Sequence, residues 1–274
     1  MKTLICIPSL SRPYEFKDQM LGWLDDVSDA RAIDYKVFVE PHEAHHYEMV
    51  MSKKNLVVLK ESGRRIGYAC KTYSEYAEAN GYELIFRMDD DLKGWTSQEL
   101  GGTKTATPWN FLKMWDECIP LFQDYPKLGA IRYIGGRNHF YEHMKKGKKR
   151  TWIYHNQDLW GERIVRTSLE KQITEEMITC DDACLSAIIC GSGYHILTYG
   201  AVGMNKTIND NGGGFQTMDR AKMTKQVYDY IKKDYPKIKM RKNKFWFGVD
   251  LDVEYYCPKI SLPLGISLES ILKD

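Results

Sequence analysis

Three adjacent aspartates, Asp89 to Asp91, close the apolar run Leu84, Ile85, Phe86 in the stretch FRMDDDLKGW. Like charges at neighbouring positions repel, so the run needs water around it or a cation within it. On an extended strand end the side chains alternate, which sets Asp89 and Asp91 on one side and Asp90 on the other. Two carboxylates at that spacing can hold a hard divalent cation, directly or through water, and leave positions open for phosphate oxygens. The cation would then neutralise charge developing on a diphosphate leaving group. The competing account is that the aspartates cap the following turn or helix. His42, Glu43 and His46 spell H-E-x-x-H, which on a helix would place two imidazoles on one face for zinc, with a glutamate as base. Here the motif directly follows the strand-like YKVFVE, with Pro41 suited to a first helical position, so an exposed first turn is the better account. No third ligand stands out.

The elements that would carry these residues alternate through the first half. TLICIPS, YKVFVEP, NLVVLKES and ELIFRMDDD each read as an apolar strand ending in turn or polar residues. Between them Tyr14 to Val27, Ala44 to Met51 and Lys71 to Ala79 have helical patterning, the last stopped by Asn80 and Gly81. Strands separated by helices predict parallel pairing with right-handed crossovers, and ligands in such sheets bind beyond the carboxyl ends of the strands. Pro8 to Arg12, Glu40, Glu61 to Arg65 and Asp89 to Asp91 all fall there. The second half is less regular. LGAIRY is a strand candidate, and 151–161 is rich in Trp, Tyr and Asn that could stack on a sugar or base or fill the core. Leu185, Ile188 and Ile189 mark a helix that Asp181 or Asp182 begins and Gly191 ends, with a strand at Tyr194 to Tyr199.

The chain has 274 residues and 43% hydrophobic residues, enough for one large α/β domain. Its seven cysteines form no CxxC pair, which argues against a disulfide framework and a zinc ribbon. No segment approaches the roughly 20 apolar residues of a membrane span, and the start lacks the pattern of a signal peptide. The expectation is a cytoplasmic protein. The net charge of +2 conceals an uneven distribution. KKGKKR at 145–150 carries five positive charges, and 220–244 carries ten basic residues against Asp229 and Asp234. Such clusters follow a polyanion or form a solvated face. Ala221, Thr224, Tyr228, Ile231 and Tyr235 recur at helical intervals, which predicts an inward stripe with Lys222, Lys225, Lys232 and Lys233 elsewhere on the surface. That helix would run on into KIKMRKNK as one basic strip.

Together, IPSLSRP, GRRIGYACKTYSEYAEANGYELIFRMDDD and the strand-helix alternation resemble the nucleotide-sugar half of GT-A fold glycosyltransferases. The resemblance implies a Rossmann-like mixed α/β sheet flanked by helices, in one domain. Residues 1–120 would bind the nucleotide sugar and 121–274 the acceptor. It implies that Pro8, Ser9, Arg12 and Glu40 line the nucleotide pocket and that Arg64, Arg65, Gly67 and Lys71 belong to the basic, glycine-containing segment opening the next helix. Asp89 and Asp91 would hold Mn2+ or Mg2+, and Asp90 would touch ribose or sugar. In the family a second acidic pair lies beside the reacting centre and, in inverting members, supplies the base. Asp181 and Asp182 match it, although the usual pair begins with glutamate. A carboxylate beside an acceptor hydroxyl can take its proton; the competing role is a helix cap. Many members complete the metal shell with a late histidine, for which His195 is the candidate; Asp210 in NDNGGGF is the alternative. The donor implied is a nucleotide sugar, foremost a UDP-sugar.

The order of DDD, an acidic pair and an N-x-GGG loop is similar to the TET-associated glycosyltransferase group, whose phage members are thought to glycosylate hydroxymethylated pyrimidines in DNA. This implies an extruded base hydroxyl as nucleophile and DNA held by 145–150 and 220–244 through its phosphates. Transfer to a protein, glycan or small molecule is the second expectation. A nucleotide-sugar or nucleic-acid binding module without catalysis is the third.

Overall fold

The computed structural model describes residues 1–97, 108–134, 152–154, 159, 162–206, 219–243 and 248–257. Four parallel strands build its first half: β1 (Thr3–Ser9), β2 (Asp34–Val39), β3 (Leu56–Val58) and β4 (Leu84–Arg87). They lie in the order β3-β2-β1-β4 with parallel register throughout. The crossovers are helical. Pro13–Phe16 (α1) passes through a π-helical Lys17–Leu21 into α2 (Gly22–Arg31), α3 is the short Ala44–Glu48, and α4 spans Arg65–Ala79. This is the predicted strand-helix alternation. The last helix starts six residues earlier than its periodicity indicated.

Beyond β4 the sheet turns mixed. β5 (Leu92–Ser97), α5 (Pro108–Cys118), α6 (Leu121–Asp124), β6 (Leu128–Ile134), β7 (Trp152–Tyr154), β8 (Arg163–Arg166), α7 (Thr167–Glu170), α8 (Asp181–Gly191) and β9 (His195–Lys206) follow. Among the described residues the sheet has nine strands, in the order β3-β2-β1-β4-β8-β6-β9-β5 with β7 also on β9. β8 runs antiparallel to both β4 and β6, and so joins the two halves. Alternation along the strands supplies both faces. Ile5, Ile7, Leu84 and Phe86 pack on one side with α2 and α5 residues such as Leu24 and Phe111. Leu4, Cys6, Ile85 and Val165 pack on the other with Tyr73 of α4 and Leu185 of α8.

The basic C-terminal region is a helix and a hairpin. α9 (Arg220–Ile231) buries Thr224, Val227 and Ile231, whereas Ala221 is exposed, so the inward stripe is shifted from the predicted one. Lys222, Lys225, Lys232 and Lys233 are exposed as expected. KIKMRKNK does not continue the helix: β10 (Lys239–Asn243) pairs antiparallel with β11 (Gly248–Asp252). The run 145–150, Lys244, Asp210 with its glycines and most of the aromatic segment lie outside the described residues. No helix among the described residues is long and apolar enough to cross a membrane.

Candidate active site

The carboxyl ends of β1 and β4 meet at the aspartate run. Side-chain exposures of 28% for Asp89, 7% for Asp90 and 23% for Asp91 reproduce the predicted alternation, with the middle residue turned inward. The three charges are compensated from two directions. Arg87 and Arg163 are direct partners across β4 and β8, so both guanidinium stems leave the same face of the sheet, and both are buried. Like charges so placed repel. Carboxylates gather round them: Asp89 lies 2.8 Å from Arg87, while Glu170 at 2.7 Å and Asp181 at 3.1 Å flank Arg163. Tyr73 of α4 donates its hydroxyl to Glu170.

From the other side comes Arg12. Its Nη1 lies 3.5 Å from Asp90 Oδ1 and 3.6 Å from Asp91 Oδ2. Ser9 donates to Asp90 Oδ2 at 2.6 Å and shares a 2.5 Å hydrogen bond with the Tyr47 hydroxyl. Burial pushes the Asp90 carboxyl up to about 6 against the opposing pull of Arg12 and the Ser9 hydrogen bond. Glu43, buried rather than on an exposed turn, accepts from the backbone N–H of Ser11 at 2.8 Å and from its hydroxyl at 2.6 Å. That accounts for the H-E-x-x-H motif: its glutamate clamps the loop after β1. His42 contacts Ser62 and Glu40 instead.

The segment opening α4 is anchored chiefly to protein. Glu40 accepts from Gly63 N–H at 2.9 Å, and that glycine has φ +73°. Arg65 also takes a left-handed backbone. Arg64 and Lys71 both pair with Glu175. Gly67 is not exposed to a phosphate. A Cβ there would lie 2.5 Å from the carbonyl oxygen of Thr174 and 2.7 Å from that of Met177, so glycine is what lets this turn press onto α4. Pro8, level with Phe38 of β2, precedes Ser9 at the strand end.

The second acidic pair opens α8 as expected, but neither residue caps it conventionally. The N-cap is Cys180, left-handed at φ +55°, with no side-chain cap. Asp181 is drawn to Arg163, where its carboxylate balances a buried charge. Asp182 is partly exposed and accepts from Ala183 N–H at 2.8 Å.

His195 does not join this cluster. It starts β9 opposite Leu128, four residues from Arg132, which is level with Arg163. At about 3.3 Å per residue that places it roughly 13 Å towards the opposite end of the sheet. Burial and Lys127 pull its imidazole pKa down there. It therefore cannot complete a shell at Asp89 and Asp91.

Among the described residues no three His, Cys, Asp or Glu side chains converge as a ready-made metal cage. The donor set nevertheless fits a hard divalent cation in an open site. Asp89, Asp90, Asp91, Glu170 and Asp181 outnumber Arg12, Arg87 and Arg163, and the partly open Asp89 and Asp91 present oxygen ligands. Arg87 and Arg163 escaped sequence reasoning because their burial depends on strand pairing between distant segments, and Glu170 because its burial depends on Arg163 and on Tyr73 of α4. Glu43 and Tyr47, one helical turn apart, escaped it because the H-E-x-x-H pattern drew attention to the histidines.

The mixed α/β sheet flanked by helices matches the fold of GT-A-type structures. A mannosyltransferase from Pyrobaculum calidifontis, solved with GDP-Man and Mn2+, superposes with a TM-score of 0.51 at 16% identity, covering 85% of this chain. The chain spans 64% of that protein's length. A glucosyl-3-phosphoglycerate synthase from Mycobacterium tuberculosis, solved with Mn2+, UDP-glucose and phosphoglyceric acid, reaches 0.48 at 9% identity over 97% of this chain and 88% of its own. At such identities the likeness is one of fold. No family model and no curated protein matches the sequence.

Proposed function

We propose that the chain is a metal-dependent glycosyltransferase that moves a sugar from a nucleotide sugar to a hydroxyl. One observation carries this: in a GT-A-type fold, Ser9, Arg12 and Asp89 to Asp91 converge at the carboxyl ends of β1 and β4. Residues 1–120 bind the donor, a UDP- or GDP-sugar, and 121–274 bind the acceptor. Asp89 and Asp91 would hold Mn2+ or Mg2+, which when bound neutralises charge on the departing diphosphate. Asp90 braces Ser9 and Arg12 against the donor pocket. Glu40 holds the turn at Gly63, and Arg64, Arg65 and Lys71 form the basic rim beside it. Asp182 takes the proton of the acceptor hydroxyl as its oxygen bonds to the anomeric carbon and the diphosphate leaves with the bonding pair.

For the acceptor we propose a hydroxymethylated pyrimidine in DNA, held through phosphates. The exposed lysines of α9 and β10 support it, although Asp229 engages Lys225 and Lys232, and Asp250 engages Arg241. The test incubates the protein with Mn2+, a panel of UDP- and GDP-sugars, and DNA with or without hydroxymethylcytosine, then weighs the nucleosides. A mass gain of one sugar on the modified base supports the proposal. Donor hydrolysis without DNA modification assigns another acceptor, and an intact donor leaves a binding module.

A further inference from the structure

We infer that Arg12 is a built-in counter-ion that sits on Asp91, one of the two carboxylates assigned to the metal, until a donor diphosphate draws it off, so that donor and divalent metal bind cooperatively. The inference rests on the metal assignment above. A single guanidinium nitrogen, Nη1, is nearly equidistant from the two carboxylates, at 3.5 and 3.6 Å. The fork is underused: Arg12 Nε is buried and makes no hydrogen bond. An unsatisfied buried donor is costly, and a phosphate, which guanidinium binds in two-point fashion, would satisfy it.

The backbone around Arg12 is held by its neighbours, and the long side chain reaches from it to the aspartates. Ser11 sits at φ +62°, a conformation held by both hydrogen bonds to Glu43. Tyr47 is one turn beyond Glu43. Its hydroxyl bonds Ser9 and receives the Arg12 N–H at 3.4 Å, while the Arg12 carbonyl accepts from Phe16 N–H at 3.0 Å. Glu43 and Tyr47 are thus positioning residues that present Arg12 to the aspartates. A positive charge a few ångströms from the metal-binding carboxylate of Asp91 opposes a second cation strongly. Moving it onto a diphosphate removes that opposition, and by linkage each ligand tightens the other's binding.

The test measures Mn2+ affinity by electron paramagnetic resonance, without donor and with saturating UDP or GDP. Wild type should bind Mn2+ weakly alone and at least about tenfold more tightly with nucleotide. Arg12→Gln should bind Mn2+ alone roughly tenfold more tightly than wild type and lose the part of the coupling that exceeds direct metal–diphosphate attraction. Arg12→Lys, which keeps the charge, should retain the weak donor-free affinity. Glu43→Gln, with thermal unfolding as the control for folding, should shift towards Arg12→Gln. Equal Mn2+ affinity and coupling in wild type and Arg12→Gln overturns the inference while leaving the metal assignment intact. Absence of Mn2+ binding to wild type with and without nucleotide overturns both.

Discussion

Asp90 and Asp182 are both aspartates of the proposed site, yet their surroundings differ: one is buried and the other half-open. Asp90 is buried, which holds its carboxyl at about 6, above the ordinary 3.8. A raised carboxyl favours folding while it stays protonated. In chelator-treated protein this contribution is therefore complete below about pH 4 and lost as pH rises through about 6. Asp90→Asn should flatten that slope and, above pH 7, stabilise the metal-free protein by up to about 3 kcal/mol. Parallel melting curves for wild type and variant between pH 4 and 8 would refute this. Asp182 is half-open at the start of α8. Asp182→Asn should slow turnover roughly a hundred- to ten-thousandfold with donor affinity unchanged. A variant that melts earlier but turns over normally would make the residue a helix-end support instead. Ser9, Arg12 and the aspartates were legible from position alone, since each ends a readable strand or follows one. Arg163 and Glu170 were not, because a buried charge in a four-residue strand or helix looks like a surface charge until its partners assemble.

At the scale of elements, the joint between α4 and the turn at 174–177 holds the two halves against each other through Gly67 and the Glu175 pairs with Arg64 and Lys71. Gly67→Ala should cost about 1–3 kcal/mol, since the obstructing atoms are backbone carbonyls. Gly22→Ala, where nothing lies within 4 Å and the backbone is already helical, should instead gain up to about 1 kcal/mol. Denaturant unfolding of both variants checks the pair; equal stabilities would show that the close approach at Gly67 is relaxed at little cost. The first four strands were readable because apolar runs and helical stripes are local signals. β8 was missed, as RIVR carries two arginines in four residues. The strand beginning at Tyr194 was foreshortened by Gly200 and Gly203, beyond which β9 runs on to Lys206. Both depend on neighbours that sequence periodicity does not reveal.

Over the whole molecule, the basic surface on α9 and β10 is interrupted by Asp229 and Asp250, so its role rests on the exposed lysines that surround those pairs. Reversing Lys239, Arg241 and Lys242 to glutamate should weaken DNA binding equally at all sequences and flatten its salt dependence, because phosphate contacts release counterions without reading bases. Donor binding should persist, as the proposed donor pocket lies at the carboxyl ends of β1 and β4. Unchanged binding and modification at low and high salt would make the surface a solvated face and favour a non-DNA acceptor. The central claim, that the aspartate run serves metal-dependent sugar transfer, is tested most directly by nucleoside diphosphate release from a panel of UDP- and GDP-sugars. The measurement compares wild type and Asp91→Asn with Mn2+ and with chelator. Wild type should release diphosphate only while Mn2+ is present, and a folded Asp91→Asn variant should release none. Equal release by that variant in chelator would remove the metal role of the aspartate run.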